Sequence, residues 1–123
     1  MTLYQGCITS GTPYEDLNSN QGTSTTPTST AIDTTAADRL GVIVTASREG
    51  WIYATDLSAS GWTEQFNIGA TNRPSMAVDL KNIASATTEA AVSRTESNVS
   101  WVTFSLALLP VPPASTRRVM VVA

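Results

Sequence analysis

The chain has 123 residues and a net charge of −3, with no histidine and a single cysteine, Cys7. That length suits one domain able to bury a core without staples, while the acidic balance excludes a nucleic-acid binder, which needs a basic patch that the lone adjacent pair Arg117-Arg118 does not make. The missing histidine removes the commonest general base and metal ligand, and one cysteine excludes an intrachain disulfide.

Charged residues are 14% of the chain, well below the roughly 25% of ordinary domains. Solvation falls to Ser and Thr, roughly a quarter of the residues and far above ordinary use. A hydrophobic fraction of 41% and a mean hydropathy of −0.01 place the chain among globular proteins. No apolar run approaches the roughly 18 residues of a membrane span. Met1 to Gln5 lacks the basic and apolar regions of a signal peptide. A buried structural thiol is one reading of Cys7, an intermolecular disulfide or reactive thiol the other.

Thr2 to Thr9 reads as a first strand, with Gly6 suited to a bulge. Ser10 to Thr30 is a long polar stretch punctuated by Gly11, Pro13, Asn18, Asn20, Gly22 and Pro27, expected as an extended arm or surface loop with a Thr-rich core from Thr23 to Thr30. Thr28 to Ile32 suits a short strand, and Asp33 to Asp38 a turn. Asp38 to Ser47 is the organising stretch. Its consecutive Val42, Ile43 and Val44 leave no polar face, which predicts a strand buried on both sides or between two sheets.

Trp51 to Thr55 and Trp62 to Ile68 follow as strands, the latter placing Trp62, Phe66 and Ile68 on one face if regular. Ser75 to Lys81 is the cleanest amphipathic strand, with Met76, Val78 and Leu80 alternating with Ala77, Asp79 and Lys81. Ala84 to Thr95 fits strand better than helix because of Thr87, Thr88, Val92 and Thr95. Asn98 to Leu109 sets Val102, Phe104, Leu106 and Leu108 opposite Trp101, Thr103, Ser105 and Ala107. Pro110, Pro112 and Pro113 end it. The β-sandwich domain is therefore expected over 1–110 and a C-terminal extension over 111–123. That extension carries an apolar tail that either docks on its own domain or adds as a strand to a partner. About eight short strands predict an all-β, two-sheet antiparallel sandwich of jelly-roll type.

Catalytic chemistry finds little to build on. Glu15-Asp16 reads as a solvated turn, Asp33 and Asp38 as turn caps. Glu64, Asp79, Glu89 and Glu96 offer carboxylates for glycoside cleavage, but no spacing selects a pair. Zinc lacks ligands, and no Asp-x-Asp-x-Asp loop suggests calcium. Phosphate-loop, dinucleotide and nucleophile-elbow motifs are absent. No catalytic residue, metal or cofactor is expected, and the chain reads as a non-enzyme. Trp51, Tyr53 and Trp62 leave three readings open: core packing, a stacking platform for sugars, or a protein contact.

The run Thr30-Ala31-Ile32-Asp33-Thr34-Thr35-Ala36-Ala37-Asp38-Arg39-Leu40-Gly41-Val42-Ile43-Val44 resembles the entry to a jelly-roll domain of tailed-bacteriophage virion proteins. Gly61-Trp62-Thr63-Glu64, Pro74-Ser75-Met76-Ala77-Val78 and the ending Ala107-Leu108-Leu109-Pro110 continue the likeness across about residues 28–110. The Thr-rich arm and the Pro-spaced tail depart from it. The resemblance implies a virion structural protein on the outer capsid surface, assembled in the host cytoplasm, that decorates or cements the shell. Its implied partners are the major capsid protein and copies of itself, as dimer or trimer, with neither nucleic acid nor membrane. Candidate contacts are Thr23, Thr25 and Thr26 in the arm and Arg117, Arg118, Val119, Met120, Val121 and Val122 in the tail. Truncation after Pro110 is expected to leave the domain folded and weaken assembly. The alternative is a carbohydrate-binding module of a phage tail or fibre, using Trp51, Tyr53 and Trp62.

Overall fold

The computed structural model describes residues 11–48, 53 and 57–110. Over these the protein is all-β, with seven strands and one short 3-10 turn at Ser58–Ser60. The strands are β1 (Tyr14–Ser24), β2 (Ile32–Asp33), β3 (Arg39–Ser47), β4 (Thr63–Ile68), β5 (Ser75–Ile83), β6 (Thr88–Glu89) and β7 (Val99–Leu108). Five form one sheet in the order β1-β7-β3-β5-β4, every neighbouring pair antiparallel, and β2 pairs with β6 in a second, two-stranded sheet. The β-branched run of β3 makes it the middle strand, paired along its length to β5 on one side and β7 on the other.

The stretch expected as an arm is largely strand. Tyr14 to Ser24 pairs with β7 from Leu108 back to Val99, as an edge of the large sheet. Its polar residues suit an edge, where one side of the backbone and much of the side-chain surface meet water. A bulge between Glu15 and Asn18 breaks the register, with Asp16 in the left-handed region at φ 52°. Glu15 and Asp16 are accordingly no solvated turn. Glu15 bonds Arg39 at 2.8 Å and accepts from the Thr35 hydroxyl at 2.8 Å, while Asp16 accepts from the backbone N–H of Asp33. Together the two carboxylates tie the 33–39 turn to the sheet edge.

The inner face of the sheet is covered by β2, β6 and the segments that carry them. Its core consists of Ile32, Ile43, Leu57, Trp62, Ile83 and Ala107, with Val92 packed against them. Ala84 to Thr95 forms no helix; it supplies β6 and a bridge from Ser93 to Thr28. Gly41 sits where a side chain would collide. A Cβ there would meet Ile83 Cδ1 and Trp62 Cη2, each at 3.0 Å.

The sequence reading of two faces needs correcting at β4. A bulge between Glu64 and Phe66 shifts the register by one residue. Phe66 and Ile68 therefore turn outward, and Trp62 turns inward to be 3% exposed. Burial on both sides also fails for β3. Gly41, Ile43, Thr45 and Ser47 are buried, whereas Leu40, Val42, Val44 and Ala46 on the opposite face are half-buried.

Candidate docking face

Opposite residues in an antiparallel register share a face, so the pairing alone defines the outer surface of the large sheet. Leu106, Val42, Leu80 and Thr63 form one row across it. Phe104, Val44, Val78 and Phe66 form the next, followed by Val102, Ala46, Met76 and Ile68. Leu108, Leu40 and Asn82 begin the face at one end, with Tyr14 of β1 beside Leu108. Leu17 stands at the β1 bulge beside Leu106.

The exposed large hydrophobic side chains among the described residues are Tyr14, Leu17, Phe66, Ile68, Met76 and Phe104. Tyr14, Phe66, Ile68, Met76 and Phe104 stand on this outer surface by register, and Leu17 lies in the β1 bulge at its margin. Phe104, near its centre, keeps 44% of its surface accessible. None of the paired positions in these rows is charged; the polar ones, Thr63 and Asn82 with Ser19 and Gln21 of β1, lie at the margins. A contiguous apolar patch of this kind marks a surface that is normally covered.

The inner face reverses the usual arrangement, because it buries the more polar set. Asp79 and Arg94 are fully enclosed, the Arg94 Nη2 group donating to both Asp79 carboxylate oxygens at 2.6 Å and to Glu64 at 3.1 Å. The Arg94 guanidinium also lies 5.6 Å from the centre of the Tyr53 ring. The backbone N–H of Arg94 donates to Pro27 O at 2.8 Å, which holds that segment against the loop after β1. Tyr53 is fixed at its own backbone by Asn67, which accepts from its N–H at 3.0 Å and donates to its carbonyl at 2.8 Å.

A hydroxyl chain runs beside this pair. The Ser47 hydroxyl donates to Glu96 Oε2 at 2.6 Å, so the Tyr53 hydroxyl, 2.7 Å away, donates to Ser47. Burial, reinforced by the Glu96 charge, pushes the Tyr53 hydroxyl up to about 12, although the Ser47 bond and the Arg94 charge oppose it. Burial also raises Glu96 above the ordinary carboxylate range, against the lowering effect of its Ser47 bond. Of the four carboxylates considered for glycoside cleavage, the fold thus brings Glu64 and Asp79 to one guanidinium. Asp79 is wholly buried there and reaches no substrate. Glu89 instead pairs with Lys81 at 2.6 Å.

The other sequence candidates separate. Thr23 closes one end of β1, exposed, with its hydroxyl 3.2 Å from that of Ser100. Thr25 and Thr26 are exposed in the loop that follows, where Thr25 O accepts from Glu96 N–H at 3.0 Å and Thr26 O accepts from the Thr28 hydroxyl at 3.0 Å. Tyr53 and Trp62 are 2% and 3% exposed, which leaves neither ring a free face for a sugar. Cys7, Trp51 and the tail residues Arg117, Arg118, Val119, Met120, Val121 and Val122 lie outside the described residues. Among the described residues no group of three potential metal-binding side chains occurs, and no helix is long and apolar enough to cross a membrane.

Sequence reasoning did not single out Val44, Phe66, Met76 or Phe104 as contact residues. The signal was present in Val42-Ile43-Val44, which asks for cover on both sides of β3. Within the described residues that cover exists on one side. No family model, curated protein or solved structure matches this chain.

Proposed function

We propose that this is a non-enzymatic structural protein of a tailed-phage particle, a decoration or cement protein that binds and stabilises the shell. The observation that supports this reading best is the uncharged apolar face centred on Val44 and Phe104. Such a face costs free energy in water and is relieved by association with protein, whereas a catalytic or sugar-binding site would need convergent polar groups in a cleft. The resemblance of residues 28–110 to virion jelly rolls supplies the setting. On this reading the two sheets are a jelly-roll-like sandwich, with the outer face left for assembly. Ser and Thr in place of charge suit a protein whose surface meets neighbours, since a charged side chain is costly to bury unpaired. Repetition around a symmetric shell multiplies weak contacts through avidity.

Quantitative mass spectrometry of purified particles of the encoding phage tests the proposal. Hundreds of copies in fixed ratio to the major shell protein are expected. A dozen or fewer would place the protein in the tail, and absence from the particle would overturn the proposal.

A further inference from the structure

We infer that the outer face is covered by the same face of a second copy of this chain, forming a two-fold, sheet-on-sheet dimer. The inference rests on reading this face as an assembly surface, and it names the occupant.

Size is the first argument. The sheet is five strands wide, and strands about 4.8 Å apart with about 3.3 Å per residue from Leu40 to Ala46 make a face of roughly 24 by 23 Å. Two such faces would bury on the order of 1,100 Å² in plan, just past the roughly 1,000 Å² expected of a specific interface. One added strand would cover only about 5 Å of that width. The run Val119-Met120-Val121-Val122 supplies four apolar residues, against the twelve positions of the three full rows. A second sheet matches the area; a single segment does not.

Charge is the second argument. With no charged position in the rows, a strongly acidic or basic partner surface has nothing to pair with and would lose its own hydration. A copy of the same uncharged surface carries no such penalty.

Relief is the third. In the central row, Val44 and Val78 lie between Phe104 on β7 and Phe66 on β4. The backbone positions of the two phenylalanines are about 14 Å apart, at three strand spacings. Between them lies a shallow apolar trough floored by valines, Val44 half-buried and Val78 9% exposed, over which one ring of a partner would pack. Around a two-fold axis near Val44, each copy would set its Phe104 into the trough of the other. Packed sheets about 10 Å apart interdigitate in this way, and isologous contact is the commonest route to a dimer.

The test uses the full chain at micromolar concentration, with mass measured by sedimentation equilibrium and folding followed by circular dichroism. The wild type is expected to be dimeric. Phe104→Asp and Phe66→Asp are each expected to remain folded and raise the dimer dissociation constant at least 100-fold, the scale of a central contact residue. If one variant fails to fold, the other decides. Photo-cross-linking from p-benzoylphenylalanine at position 104 is expected to yield a dimer joined to β3 or β5 of the second copy. A monomeric wild type would overturn the inference, as would a dimer unaffected by both variants. Cross-links from position 104 to residues 119–122 of the same chain would assign the face to the tail instead. A monomer that binds purified shells through Phe104 would sink the dimer and leave the assembly reading standing. A monomer that does neither would remove both.

Discussion

Arg94 donates to both carboxylate oxygens of Asp79 at 2.6 Å, with both side chains sealed from water. The pair joins the middle of β5 to the segment after Ser93, so it pins the covering layer to the large sheet. A buried pair of this kind repays its desolvation only while both members are present. Arg94→Met should cost about 3–5 kcal/mol in urea unfolding, because it leaves Asp79 charged or forces it to protonate. Combined replacement, Asp79→Leu with Arg94→Met, should recover most of that loss. An Arg94→Met cost below about 1 kcal/mol would show that the pair does not hold the layer.

Glu96 should make stability fall as pH rises. Burial raises its folded-state pKa above the unfolded value, so its favourable contribution is complete below the unfolded pKa and disappears as pH climbs through the folded one. Glu96→Gln keeps an acceptor for Ser47 without the buried charge. It should raise the melting temperature at neutral pH and flatten the slope just above the ordinary carboxylate range. A variant less stable than wild type at pH 7 would contradict this account.

Glu15 acts in the opposite sense. Burial alone would push it up, but the hydrogen bonds from Thr35 and Arg39 and the Arg39 charge outweigh that and hold it below the ordinary value. Its contribution is therefore present above the unfolded pKa and lost as pH falls through the folded one. Glu15→Gln should reduce the acid sensitivity of unfolding below the ordinary carboxylate range. The melting curves of the two proteins should converge at low pH, and parallel curves would exclude the role.

Gly41 is held to glycine by its neighbours. The ring of Trp62 and the end of Ile83 occupy the space of a Cβ, so Gly41→Ala should destabilise by about 1–3 kcal/mol through overpacking. Ile83→Val removes Ile83 Cδ1, one of the two obstructing atoms at 3.0 Å. The double variant should consequently lose less than the sum of the singles, a coupling readable from a mutant cycle by urea unfolding.

Strand content was legible wherever side chains alternate or branch at Cβ. β3, β5 and β7 follow from Val42 to Val44, Met76 to Lys81 and Val102 to Leu108, because these patterns suit a pleated sheet regardless of what covers it. β1 was hidden. As an edge strand it carries Asn18, Ser19, Asn20 and Gln21 in succession, and its pairing with β7 across some eighty residues of sequence leaves no local mark. The β4 bulge was hidden for the same reason, since one unpaired residue is visible only against a partner strand.

Face assignment marks the division between chain and fold. By itself the sequence determined an all-β protein and sorted each long strand into two alternating sets, such as Trp101, Thr103, Ser105 and Ala107 against Val102, Phe104, Leu106 and Leu108. It also showed, through Val42-Ile43-Val44, that β3 is apolar toward both sides. Only the tertiary structure decided which set the molecule buries for itself. It enclosed Asp79 and Thr103 and left Phe104 and Met76 outward, because Arg94 pairs with Asp79 and the Thr103 hydroxyl donates to Thr28 O at 3.1 Å beneath the covering layer. Periodicity separates two faces without ranking them; the ranking comes from the layer that packs on top.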